Sequence, residues 1–141
     1  MPVTRPAEAA AWWWLRVAVG DLAVARSLLG TASVPARGAA QFAQQAAEKA
    51  LKAAIASTGV EPTRTHDLVF LTLCCDAELQ RTLARIDVAE LSAVLSRSRY
   101  PEIDDPPINH DQATQWIADA RDVVAAAAHH LDIKIDSLRA V

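Results

Sequence analysis

With 141 residues the chain is sized for one domain around one core. Just over half of it is apolar (52%) but only 5% is aromatic, and alanine supplies much of the excess; this favours helices packed closely on small side chains over a sheet. The net charge of −3 excludes a molecule-wide field for gripping a polyanion, so any nucleic-acid contact has to come from a local basic patch.

A first helix is expected from about Glu8, whose carboxylate suits a helix start, to Leu29. Trp12, Leu15, Val19, Leu22 and Leu29 recur at helical spacing and define its seam, with Arg26 interrupting it. Trp12, Trp13 and Trp14 cannot all share that seam, because consecutive helical positions lie about 100° apart. At least one indole therefore faces a second surface, a neighbouring loop or a subunit interface.

Gly30, Pro35 and Gly38 break the chain before a second helix, expected over Ala39 to Thr58 and closed by Gly59. Ala39, Ala43, Ala46, Ala50 and Ala53 let another helix approach closely, and Ala47, Leu51 and Ile55 widen the buried face. Gln41, Gln45, Glu48 and Lys52 follow a four-three-four spacing on the other side. They read as a solvated face carrying a Glu48–Lys52 ion pair worth a few tenths of a kcal/mol, roughly 0.3.

Thr65 is placed to cap a third helix that begins at His66, Asp67 and Leu68, with Leu68, Leu71, Cys75 and Leu79 as its stripe and a break near Asp76. Asp87 and Glu90 form an acidic variant of a capping box before Val88, Leu91, Val94 and Leu95, giving a fourth segment that ends near Ser98. Three prolines between Arg99 and Pro107 prevent that helix from continuing. Asn109 and Gln112 start the last helix, with Ala113, Trp116, Ala120, Val123, Ala127 and Leu131 as its seam. After Asp132, only Ile133, Ile135 and Leu138 remain to fix a tail, which is expected to fray or to dock on a partner.

Cys74 and Cys75 are adjacent, a spacing suited neither to a zinc pair nor to a disulfide framework, and they read as buried reduced thiols. The segment Met1 to Ala11 has no signal-peptide pattern and no later run reaches the ~20 apolar residues of a membrane span. A cytoplasmic, membrane-free protein is the expectation.

In their order and spacing, Trp14-Leu15-Arg16-Val17-Ala18, the run Gln44 to Lys52 (QQAAEKALK), Arg64-Thr65-His66-Asp67-Leu68 and Arg99-Tyr100-Pro101 resemble the HEPN family, the higher eukaryote and prokaryote nucleotide-binding domains. The resemblance spans most of the chain. It implies an all-α, up-and-down bundle of four main helices plus a short additional helical segment over residues 1–132, a tail at 133–141, and pairing as a homodimer. It also implies a minimal nucleotidyltransferase as partner in a toxin-antitoxin-like module, and a nucleotide or RNA as ligand.

Some members of this family are metal-independent ribonucleases, whose pattern sets an Arg four to six residues before a His. Here Arg64 is too close to His66, and seven residues separate Arg121 from His129. Phe42 also stands where many relatives have a His before the Gln-Gln run. The resemblance therefore carries the fold and an interaction role, and a ribonuclease with a variant site built from His66, Arg64, Arg97 or Arg99 is the alternative.

Lys49, Arg64, His66, Arg97, Arg99 and Tyr100 form the expected ligand-binding set, and no catalytic residue, metal or cofactor is assigned. His66 at a helix start can meet a phosphate together with Arg64, or can simply hold the loop. Arg97 and Arg99 can hold phosphate while Tyr100 stacks on a base. Equally, an Arg can pair with Glu102, Asp104 or Asp105 while Tyr100 packs on Pro101. His129-His130 point ~100° apart on a helix and lack a third ligand, and Asp104-Asp105 read as solvated loop charges.

Overall fold

The computed structural model describes residues 5–139, among which six α-helices and one short 3₁₀ turn form a bundle without strands. The helices are α1 (Arg5–Leu29), α2 (Ala36–Ala56), α3 (Leu68–Leu73), α4 (Ala77–Leu83), α5 (Val88–Arg99) and α6 (His110–His130), with the turn at Ile135–Ser137. The resemblance's bundle is present, with its third helix broken in two at Asp76.

That break has a local cause. The Asp76 carboxylate accepts from the Glu78 amide and starts α4 afresh, just as Asp67 accepts from the Val69 and Phe70 amides at α3. Asp87 does the same for α5 through the Glu90 amide, and Asn109 and Gln112 form a reciprocal capping box at α6. The third helix therefore begins at Leu68, two residues later than expected: Thr65 Oγ1 accepts from the Asp67 amide, and Asp67 supplies the cap itself.

Around α2 the other elements assemble. It packs along α1 and α6 and also touches α5 and α3. A helix enclosed on so many sides is buried well beyond one stripe: Ala39, Ala40, Ala43, Ala46, Ala47, Ala50 and Ala53, all 0% exposed, fill one arc, and the buried Gln44, Glu48, Leu51, Lys52 and Ile55 fill the adjoining one. The seam of α1 that meets it is Ala7, Ala11, Leu15, Ala18, Leu22 and Ala25. Trp12 is not part of that seam: at 39% exposed it lies beside it, with Trp13 at 52%, because close α1–α2 packing leaves room for alanine and not for indole.

Two further expectations are corrected. Cys75 is buried but Cys74 is exposed, since Cys74 follows the last turn of α3 and only one of two neighbours can face the core. Ile133, Ile135 and Leu138 pack against the bundle's own core, and Arg16 Nε donates to the Arg139 carbonyl at 3.1 Å, so the described part of the tail docks on its own chain.

Candidate functional site

The site grows from one face of α2. Gln44 and Glu48 lie one helical turn apart, both buried, and both reach the connector that leads into α3. Gln44 Nε2 donates to the His66 carbonyl at 3.0 Å, while Glu48 Oε1 meets His66 Nδ1 at 2.7 Å. One residue of the connector is thus held by its backbone and by its ring. A carboxylate can only accept, so Nδ1 carries the proton that faces it and Nε2 remains for a ligand. The ring's side chain is 60% exposed, against 2% for the carboxylate that holds it.

Glu48 is the hub of a wider network. Its Oε2 accepts from Lys52 Nζ at 3.0 Å and lies 3.8 Å from Lys49 Nζ, which in turn lies 3.8 Å from Asp21 on α1. Lys52 Nζ also sits 5.5 Å from the centre of the Trp14 ring, a cation–π contact that gives one of the three consecutive indoles its task. Two carboxylates and two ammonium groups thereby compensate one another where α1 meets α2. Burial pushes the Asp21 carboxyl above the ordinary 3.8, with Lys49 opposing the shift and Glu48 adding to it.

The reading of Glu48 and Lys52 as a solvated face is overturned, since both side chains are less than 10% exposed. Gln41 and Gln45 of the same stripe are half-buried. Gln44 Oε1 is buried with no hydrogen-bond partner, the single such side-chain atom among the described residues.

The expected ligand residues fall into two groups. Lys49 and His66 belong to the Glu48 network, and exposed Arg64 lies two residues from His66. Arg97, Arg99 and Tyr100 lie at the other end of α5, where Arg97 Nη2 donates to the Pro106 carbonyl at 2.7 Å. No ion pair joins Arg97 or Arg99 to Glu102, Asp104 or Asp105 among the described residues; Asp105 Oδ2 accepts instead from the Glu102 amide. Tyr100 is 75% exposed, so no packing on Pro101 buries it. Arg37, near the start of α2, donates to the Ser98 carbonyl beside Arg97. Arg37 and Gln44 mark the two groups along α2, and the seven-residue interval between them spans about 10 Å.

Asp21, Gln44, Trp14 and Arg37 are the site residues that spacing alone missed. For Gln44 a signal exists: Ala40, Ala47, Leu51 and Ile55 lie within about 60° of it around the helix, so it stands on the apolar side of α2 and not on the polar one. Among the described residues no cluster of His, Cys, Asp or Glu is arranged to hold a metal, and no helix is long and apolar enough to cross a membrane.

Compared with known proteins, the chain matches the family model described as HEPN domain over residues 11–131. No curated protein and no solved structure matches it.

Proposed function

Because this chain belongs to the HEPN domain family, a family of helical nucleotide-binding and ribonuclease-type domains, we propose that it is an interaction domain that pairs with itself and works beside a minimal nucleotidyltransferase. Its ligand in this reading is a nucleotide or RNA, met by His66 with Arg64 and Lys49. The observation that supports the reading is the double hold on His66. Gln44 fixes the backbone and Glu48 fixes the ring, so a solvent-facing imidazole is presented in one orientation at little further entropic cost. With Nδ1–H on Glu48, Nε2 accepts from a ribose hydroxyl in the neutral ring and donates to a phosphate oxygen in the imidazolium, and Arg64 two residues away can share that phosphate.

Co-expression with a nucleotidyltransferase encoded beside it, followed by affinity purification and light scattering, tests the assembly. A complex with two copies of this 15.2 kDa chain is expected. A monomer that leaves the nucleotidyltransferase in the flow-through contradicts the assembly.

One observation favours the alternative, a metal-independent ribonuclease. A histidine whose Nδ1 is held by a carboxylate and whose side chain is 60% exposed is arranged for general acid–base work through Nε2. Phosphate-charge stabilisation would then have to come from Arg64, because Arg97 stands beside Ser98 at the Arg37 end of α2, about two helical turns from the Gln44 that holds His66. RNA cleavage lost on His66→Ala would establish this reading.

A further inference from the structure

We infer that the cleft between the start of α2, the end of α5 and the Pro101–Ile108 loop is a second, independent ligand site, and that it takes the terminal phosphate of a nucleotide. The cleft encloses about 270 Å³ and is lined by Pro35, Arg37, Arg97, Asp105, Ile108 and three further prolines of the loop. It does not depend on His66 or on the reading given to that residue.

Two guanidinium groups share this small space, and neither has an ion-pair partner among the described residues. Each is nevertheless fixed. Arg37 Nη1 donates to the Ser98 carbonyl at 3.3 Å and Arg97 Nη2 to the Pro106 carbonyl at 2.7 Å, which spends one of five N–H donors on each and leaves the others for a ligand. Two cations oriented in advance by backbone carbonyls match a dianionic phosphomonoester better than a single carboxylate.

The rest of the lining says what the phosphate is attached to. Four of the eight residues are prolines, which contribute no N–H and offer flat, rigid apolar walls suited to a planar base. Asp105 brings the one carboxylate. With Oδ2 turned to the Glu102 amide, its other oxygen remains to accept from a ribose hydroxyl or a base amino group. A cleft with paired cations, one acceptor and apolar walls suits a molecule that is anionic at one end and a hydrogen-bond donor at the other. A nucleoside monophosphate and the 5′-phosphorylated end of an RNA share that chemistry. The exposed Arg99 and Tyr100 are not part of the lining.

The test is a set of titrations on the full chain with AMP, with a short oligoribonucleotide carrying a 5′-phosphate, and with the same oligonucleotide ending in a 5′-hydroxyl. Saturable binding of AMP, or a preference for the 5′-phosphate over the 5′-hydroxyl oligonucleotide, is expected; either is weakened at least about tenfold by Arg37→Gln and by Arg97→Gln and is kept in His66→Ala, whatever that variant does to RNA binding as a whole. Tighter AMP binding identifies the free nucleotide as the source and tighter 5′-phosphate binding identifies the RNA end; both support the site. No saturation with AMP together with equal binding of the two oligonucleotides, or a signal unchanged in both arginine variants, overturns it. Because both arginines also tether backbone, amide chemical shifts of the unsubstituted protein give a second measurement. Changes on residues 35–37 and 97–108 at saturating AMP or 5′-phosphate oligonucleotide support the site, and no change on those residues overturns it.

Discussion

Glu48 and His66 meet at 2.7 Å across a steep change in environment, a carboxylate 2% exposed joined to an imidazole 60% exposed. The buried partner is fixed by two lysines and the exposed one is left with a free ring nitrogen. A buried network thereby orients a surface group, which links the stability of α2 to whatever His66 binds.

Removing the hub should therefore cost far more than a surface ion pair. Glu48→Gln strands Lys52 in a nearly buried position beside Trp14, and a loss of about 3 kcal/mol is expected from urea unfolding. A change below about 0.5 kcal/mol would return Glu48 to the solvated face that its spacing first suggested.

Gln44 should behave in the opposite way, although it lies one turn from Glu48 and is just as buried. Gln44→Met gives up one hydrogen bond to the His66 carbonyl but also removes an oxygen that has no partner. The two effects are of similar size, about 1 kcal/mol each, so the midpoint of unfolding should move little. The His66 ring resonances should broaden or shift all the same, since the backbone that carries them is no longer held.

Asp21 makes a pH prediction. Its carboxyl is held above 3.8 in the folded chain, mainly by burial, so the folded state binds protons more tightly than the unfolded state. This contribution to stability is present below pH 3.8 and is lost as the pH rises through the folded value. Asp21→Asn should flatten that decline in a series of unfolding curves taken from pH 3.5 upward, and an unchanged slope would show that Asp21 is not the group responsible.

The cysteines predict a stoichiometry. Burial, then the neighbouring Cys74 and Asp76, push the Cys75 thiol up to about 11, whereas Cys74 is exposed. At pH 8 on the order of one Cys75 in a thousand is a thiolate. A disulfide-exchange reagent should titrate one thiol rapidly in the folded protein and two after unfolding, and two rapid thiols would contradict this packing.

Much of the fold was legible because its signals are local. Asp76, Asp87, Asn109 and Gln112 are capping residues that act within a turn of their own position, and each starts a helix where its type predicts. The site was less legible because it depends on which helix ends up in the middle. Glu48 and Lys52 have the spacing of a surface pair, and α1, α5 and α6 closing around α2 turns that pair into a buried network. His66, Arg64 and Lys49 could be nominated from their residue types, whereas Asp21 and Trp14 come from another helix and Arg37 from the far end of α2. No spacing rule connects residues that meet only after the bundle has closed.

The central claim, that His66 is a binding group held in place by Glu48, is tested most directly by one RNA titration. Labelled RNA is mixed with the protein in chelator, and the bound fraction and the fragment pattern are read from the same samples, with His66→Ala alongside. Bound, intact RNA whose affinity falls about tenfold in His66→Ala is the predicted result. Fragments that appear with the unsubstituted protein and vanish with His66→Ala, or RNA that binds both proteins equally, would contradict it.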